Sequence, residues 1–96
     1  MQQLAPAHYR RRPLSRREFD RAFARLRPAL LRHARELTGD VRSARRLVRE
    51  TSEYLFAERH RLRPDQSLAA WAESTLRARY AHGRLGRAGA LAAEAL

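Results

Sequence analysis

The residues of this chain best equipped for chemistry are its arginines. They supply all 21 basic residues, against 10 Asp and Glu, for a formal net charge of +11. A guanidinium does not deprotonate in a protein, so the chemistry on offer is recognition of anions. The distribution says more than the total. Residues 1–17 carry five arginines and no acid, residues 77–96 carry four against Glu94, and residues 18–76 hold twelve against nine acids. Basic ends on a nearly balanced middle suit a polyanionic partner, nucleic acid being the usual one. An arginine-biased proteome produces the same lack of lysine, so a plain solvated surface stands as the competing reading.

No other residue type offers a second chemistry. His8, His33, His60 and His82 lie far apart, and none forms a two-ligand helical pair with another His, Asp or Glu in a known metal pattern. His33 reads as a helix-surface residue. There is no cysteine, hence no disulfide framework and no thiolate site. No glycine-rich phosphate loop follows a strand, and no nucleophile sits in a catalytic motif. The expectation is a protein that binds rather than catalyses, with no cofactor, no metal and no small-molecule substrate. No apolar run approaches the roughly 20 residues of a membrane span, and no apolar segment follows the basic start as a signal peptide requires. A cytoplasmic protein without membrane contact is expected.

The elements that must carry these arginines are helical. Ninety-six residues suffice for one modest core. Residues 1–14, with Pro6, Pro13 and Arg10-Arg11-Arg12, read as a disordered basic arm. Ser15-Arg16-Arg17-Glu18 forms a capping box. The helix it opens buries Phe19, Ala22, Phe23 and Leu26, and Pro28 kinks or restarts it. Leu30, Leu31, Ala34 and Leu37 carry the apolar face to a stop at Gly39. Asp40 caps a second helix, running to about His60, with Val41, Ala44, Leu47, Val48, Thr51 and Leu55 inward. Residues 61–66 form a loop around Pro64. Ser67 caps a third helix that turns Leu68, Trp71, Ala72, Thr75, Leu76 and Tyr80 inward. Gly83, Gly86 and Gly89 loosen a Gly/Ala-rich tail, 83–96, which holds at most a marginal last helix. The predicted fold is all-α, a small bundle of three to four helices over residues 15–82.

Three segments of that bundle form an ordered set. Leu30-Leu31-Arg32-His33-Ala34-Arg35-Glu36-Leu37-Thr38-Gly39-Asp40 ends the first helix. Ala44 and Leu47-Val48-Arg49-Glu50-Thr51 fill the second. Pro64 and Ser67-Leu68-Ala69-Ala70-Trp71 open the third. Together, across about residues 18–82, they resemble region 2 of the extracytoplasmic-function sigma factors of bacterial RNA polymerase. The resemblance is nearest to the general-stress-response group and the sigma-like domains that imitate it. It implies a helical bundle whose second helix docks on a coiled coil of the polymerase β′ subunit. It also implies that the loop before the third helix, and that helix's face, capture unstacked bases of the −10 promoter element. Rigid helices suit that task because extruded bases are held by spaced stacking and basic side chains.

The departures are informative. Acidic residues are usual in the family just before Leu-Val-Gln-Glu-Thr; Arg45 and Arg46 stand there, and Arg49 replaces the Gln. Two carboxylates exchanged for two guanidiniums reverse the local field, and like charges facing each other at an interface cost several kcal/mol. The plain reading of this helix is that Arg46/Glu50 and Arg49/Glu53 are i,i+4 pairs on a solvated face. The family's aromatic after Glu-Thr is Ser52, its next tryptophan is Phe56, and Ala72-Glu73 replace Leu-Phe. Region 4, which reads the −35 element, has no counterpart in these residues.

Two functions are therefore expected. In the first, a region 2-like transcription regulator engages RNA polymerase core or promoter DNA, with Arg61, Arg63, Arg77, Arg79 and Arg84 on phosphates and Tyr80 as stacking platform. Trp71 is then a core anchor. In the second, a sigma mimic occupies an anti-sigma factor without initiating transcription. Its partner surface comprises Arg45, Arg46, Arg49, Glu50 and Glu53, with exposed Phe56 and Leu62 as apolar contacts. A nonspecific arginine-rich nucleic-acid binder is the residual reading.

Overall fold

The computed structural model of the chain describes residues 12–95, with side chains as far as Arg84. It is all-helical among the described residues: α1 (Arg16–Thr38), α2 (Val41–Ala57), a single 3-10 turn (Arg59–Arg61) and α3 (Leu68–Ala95). The expected small helical bundle is what forms.

Local chemistry explains the boundaries. The Ser15 hydroxyl accepts the Glu18 N–H at 3.1 Å, and the Glu18 carboxylate accepts the Ser15 N–H at 2.9 Å, closing the capping box of α1. Arg12 reaches the same carboxylate with both terminal nitrogens, at 3.1 and 3.3 Å. At the far end Gly39 adopts φ +85° and donates to the Arg35 carbonyl, a left-handed stop that glycine adopts without steric cost. Asp40 accepts the Ser43 N–H at 2.9 Å and starts α2 one residue later. A connection this short makes α1 and α2 an antiparallel hairpin. Ser67 caps α3 by accepting the Ala70 N–H.

The hairpin and α3 enclose one core. Phe19, Phe23, Leu30 and Ala34 of α1 meet Ala44, Leu47, Val48 and Leu55 of α2 and Ala72 and Leu76 of α3. Phe19 stacks on Phe23 at 5.6 Å between centroids and meets Phe56 edge-on at 5.5 Å. Thr51 is fully buried, and its hydroxyl donates to the Leu47 carbonyl, so no polar atom is stranded there.

Five expectations need correction. Pro28 does not restart α1, which passes through it as one helix. Both Pro28 and Ala24, whose carbonyl loses its donor, lie on the exposed side, where water can satisfy it. The second helix ends at Ala57 rather than near His60, because Arg59 folds back onto the Phe56 carbonyl at 2.8 Å and onto the Leu14 carbonyl. Leu14, placed in the basic arm by its sequence, is a core residue at 6% exposure. Val41, expected inward, is 41% exposed because it sits at the first residue of α2, past the cover of α1. Beyond Gly83, where a loose tail was expected, α3 continues through Gly86 and Gly89 to Ala95.

Candidate nucleic-acid and partner surfaces

The arginines expected on phosphates fall into two groups. Arg61 lies on the 3-10 turn and pairs with Glu58 at 3.0 Å; Arg63 lies in the following loop and pairs with Asp65 at 3.5 Å. Arg77, Tyr80 and Arg84 follow each other at three and four residues on α3 and share a face, and Arg84 lies 5.9 Å from the Tyr80 ring centre. Arg77 also touches Glu73 at 3.8 Å. The rise of α3 puts this second group roughly 13–24 Å along the helix from its first residue. The predicted set is therefore two surfaces, one at each end of the bundle's face.

At the loop end, Arg63 is joined by two arginines that the sequence reading missed. Arg21 and Arg25, one turn apart on α1, line a groove of about 440 Å³ with Arg63, over a floor that includes Leu62, Pro64 and Leu68. Neither Arg21 nor Arg25 forms an ion pair among the described residues. Glu18 is the one acid there, already held by Arg12 and Ser15. Hydrogen bonding from Arg12 first, then from the Ser15 N–H, pulls its carboxyl down to about 2. The Arg63–Asp65 contact is exposed on both sides and weak, so a phosphate can replace the carboxylate. The signal for Arg21 and Arg25 was their i,i+4 spacing on the polar face of α1.

At the other end Arg79 departs from its group. It lies 5.6 Å from the Tyr54 ring centre, at a cleft between α2 and α3 that Glu50, Trp71 and His82 also line. Trp71 is half-buried against the core, with its remaining surface on this cleft. Tyr80 is likewise half-buried and lines the adjoining recess with Arg46, Glu50 and Arg79. Tyr54, not singled out by the sequence, lines the cleft and is 37% exposed.

The residues expected to meet a partner divide as well. Glu50 and Arg46 line the recess toward α3, and Arg46 also joins Arg45 and Arg49 beside Val41 on the outer surface of α2. The expected pairs Arg46/Glu50 and Arg49/Glu53 are not among the ion pairs of the described residues. Phe56 is no exposed contact: it is half-buried on Phe19, with the Arg16 and Arg59 guanidiniums 3.8 and 4.0 Å from its ring centre. Leu62 is half-buried too, in the loop groove. His33, read as a surface residue, is half-buried and places Nδ1 2.5 Å from the Glu73 Oε1, tying α1 to α3.

Among the described residues no three His, Cys, Asp or Glu gather as a metal site, and no helix is long and apolar enough to cross a membrane. In comparisons with known proteins the chain matches no family model, no curated protein and no solved structure.

Proposed function

We propose that this chain is a cytoplasmic, sigma region 2-like transcription regulator that binds a −10-like single strand of promoter DNA, RNA polymerase core, or both. It acts by contact, without catalysis. The observation that carries this reading is the groove before α3, where Arg21, Arg25 and Arg63 surround a floor of Leu62, Pro64 and Leu68. That is the loop to which the family resemblance assigns capture of promoter bases. Three guanidiniums beside an apolar floor offer charge for a sugar–phosphate backbone and surface for an unstacked base.

The test is fluorescence anisotropy with a −10-like single-stranded oligonucleotide over a salt series. Each phosphate contact contributes a log–log slope of about −0.7, so the joint replacement of Arg21, Arg25 and Arg63 by Gln flattens the slope by about 2. A slope unchanged by that replacement refutes the assignment of the groove.

A second reading, a sigma mimic that occupies an anti-sigma factor, draws support from Arg45 and Arg49. They are exposed and lack ion partners among the described residues; Arg45, with Arg46, reverses the charge usual for polymerase docking, and Arg49 adds a charge where the family has a neutral Gln. A decoy needs the shape of the bundle and not affinity for polymerase. Recovery of core polymerase in stoichiometric amount from cell extract, with no small anti-sigma protein, overturns this second reading.

A further inference from the structure

A second groove, of about 620 Å³, lies between the C-terminal half of α1 and the start of α2, and the nucleic-acid reading makes no use of it. Pro28, Leu31 and Val41 give it an aliphatic floor; Arg32 and Arg35 from α1 and Arg45 from α2 form its rims. Val41 is one of two exposed large hydrophobic residues among those described. Glu36 is the one acid that lines the groove. Past Val41 the basic border continues along α2 through Arg42, Arg46 and Arg49. None of these six arginines forms an ion pair among the described residues.

We infer that this groove docks an acidic amphipathic helix of a partner protein. A channel between two antiparallel helices accepts a third laid along it, with apolar residues at i, i+3, i+4 and i+7 on the floor and acids toward the rims. Carboxylates meeting Arg32, Arg35 and Arg45 form forked, charge-assisted hydrogen bonds. A nucleic-acid strand satisfies the rims alone: the floor is aliphatic, and no aromatic side chain lines the groove for a base to stack on. A second copy of this chain, itself at a formal +11, offers these arginine rims no complementary charge. The proposal does not rest on the nucleic-acid reading. The two grooves use different stretches of α1, Arg32 and Arg35 here against Arg21 and Arg25 there.

The full chain is titrated by anisotropy into three labelled probes. One is a synthetic helix of roughly 18 residues, about 27 Å long, with Leu at the i, i+3, i+4, i+7 positions and Glu and Ala elsewhere. The second has the same composition with the leucines scattered, and the third is a single-stranded oligonucleotide of equal charge. The amphipathic helix binds at least about tenfold more tightly than its scrambled isomer. The triple variant Arg32→Glu, Arg35→Glu, Arg45→Glu weakens it by about a hundredfold, as expected for reversed charges at an interface. Val41→Asp weakens the helix by about tenfold but leaves the oligonucleotide within about twofold. An acid in the first turn favours α2, so loss of fold is not the cause. Equal affinity for both peptides, a silent Val41→Asp, or no binding of the amphipathic helix overturns the proposal.

Discussion

Removing the Arg59 side chain should loosen the whole N-terminal end of the bundle. This side chain is the clasp between three segments: Nε donates to the Leu14 carbonyl, Nη1 donates to the Phe56 carbonyl at 2.8 Å, and the guanidinium lies 4.0 Å from the Phe56 ring centre. A hydrogen bond from a charged donor contributes about 1.5–3 kcal/mol, and half-buried ones sit at the lower end, so the two together give about 3 kcal/mol. The cation–π contact adds about 0.5 kcal/mol at a site this open, a share that Arg16 partly retains. Arg59→Ala should therefore cost about 3 kcal/mol in urea unfolding followed by circular dichroism. Arg59→Lys, which keeps the charge but not the two-point fork, should cost about half of that. If the clasp works through Leu14, the Leu14→Ala and Arg59→Ala penalties should overlap, with a coupling of about 1 kcal/mol in a double-mutant cycle. Strictly additive penalties, or an Arg59→Ala variant within about 0.5 kcal/mol of the parent, would show that Arg59 is no such clasp.

Three further outcomes follow from the same structure. The folded chain holds Glu18 at about 2 against an ordinary 4.5, so the unfolded chain binds more protons between those values. Stability contributed by Glu18 is complete above about 4.5 and disappears as pH falls through about 2; acid titration of Glu18→Gln should show a flatter loss over that window. Gly39→Ala meets no atom within 4 Å, so its cost comes from the backbone at φ +85° alone. About 1–2 kcal/mol should appear in denaturant unfolding, with the helical content of the folded state retained. Leu76 is fully buried where α3 meets the hairpin, and Leu76→Ala should cost about 2–5 kcal/mol, enough to leave a domain this small largely unfolded at modest urea.

What the sequence made legible was local. The capping box at Ser15, the glycine stop at 39 and the caps at Asp40 and Ser67 are short-range hydrogen-bond patterns, and each forms where its residues predict. The inward faces of α2 and α3 followed from periodicity, with Val41 the exception because a helix end has no neighbour to cover it. What escaped were contacts across the chain. Arg59 on Leu14 spans 45 residues, and His33 on Glu73 joins α1 to α3. Neither leaves a periodic trace. The arginine surfaces were half legible: each residue's exposure could be read, but Arg21 and Arg25 join Arg63 only when the loop packs against α1. Phe56 misled for the opposite reason. An aromatic off the apolar stripe reads as a contact for a partner, whereas two arginines of the same chain already lie over it.

In the proposed function these arginines recognise a −10-like single strand rather than attract polyanions indiscriminately. The most direct measurement is competition at physiological salt between a labelled −10-like single strand, a scrambled single strand and a duplex of equal length. The −10-like strand should be displaced at least about tenfold less readily by either competitor than by itself, a preference of about 1.4 kcal/mol. Equal displacement by all three, with the same salt slope, contradicts it and leaves a nonspecific arginine-rich binder.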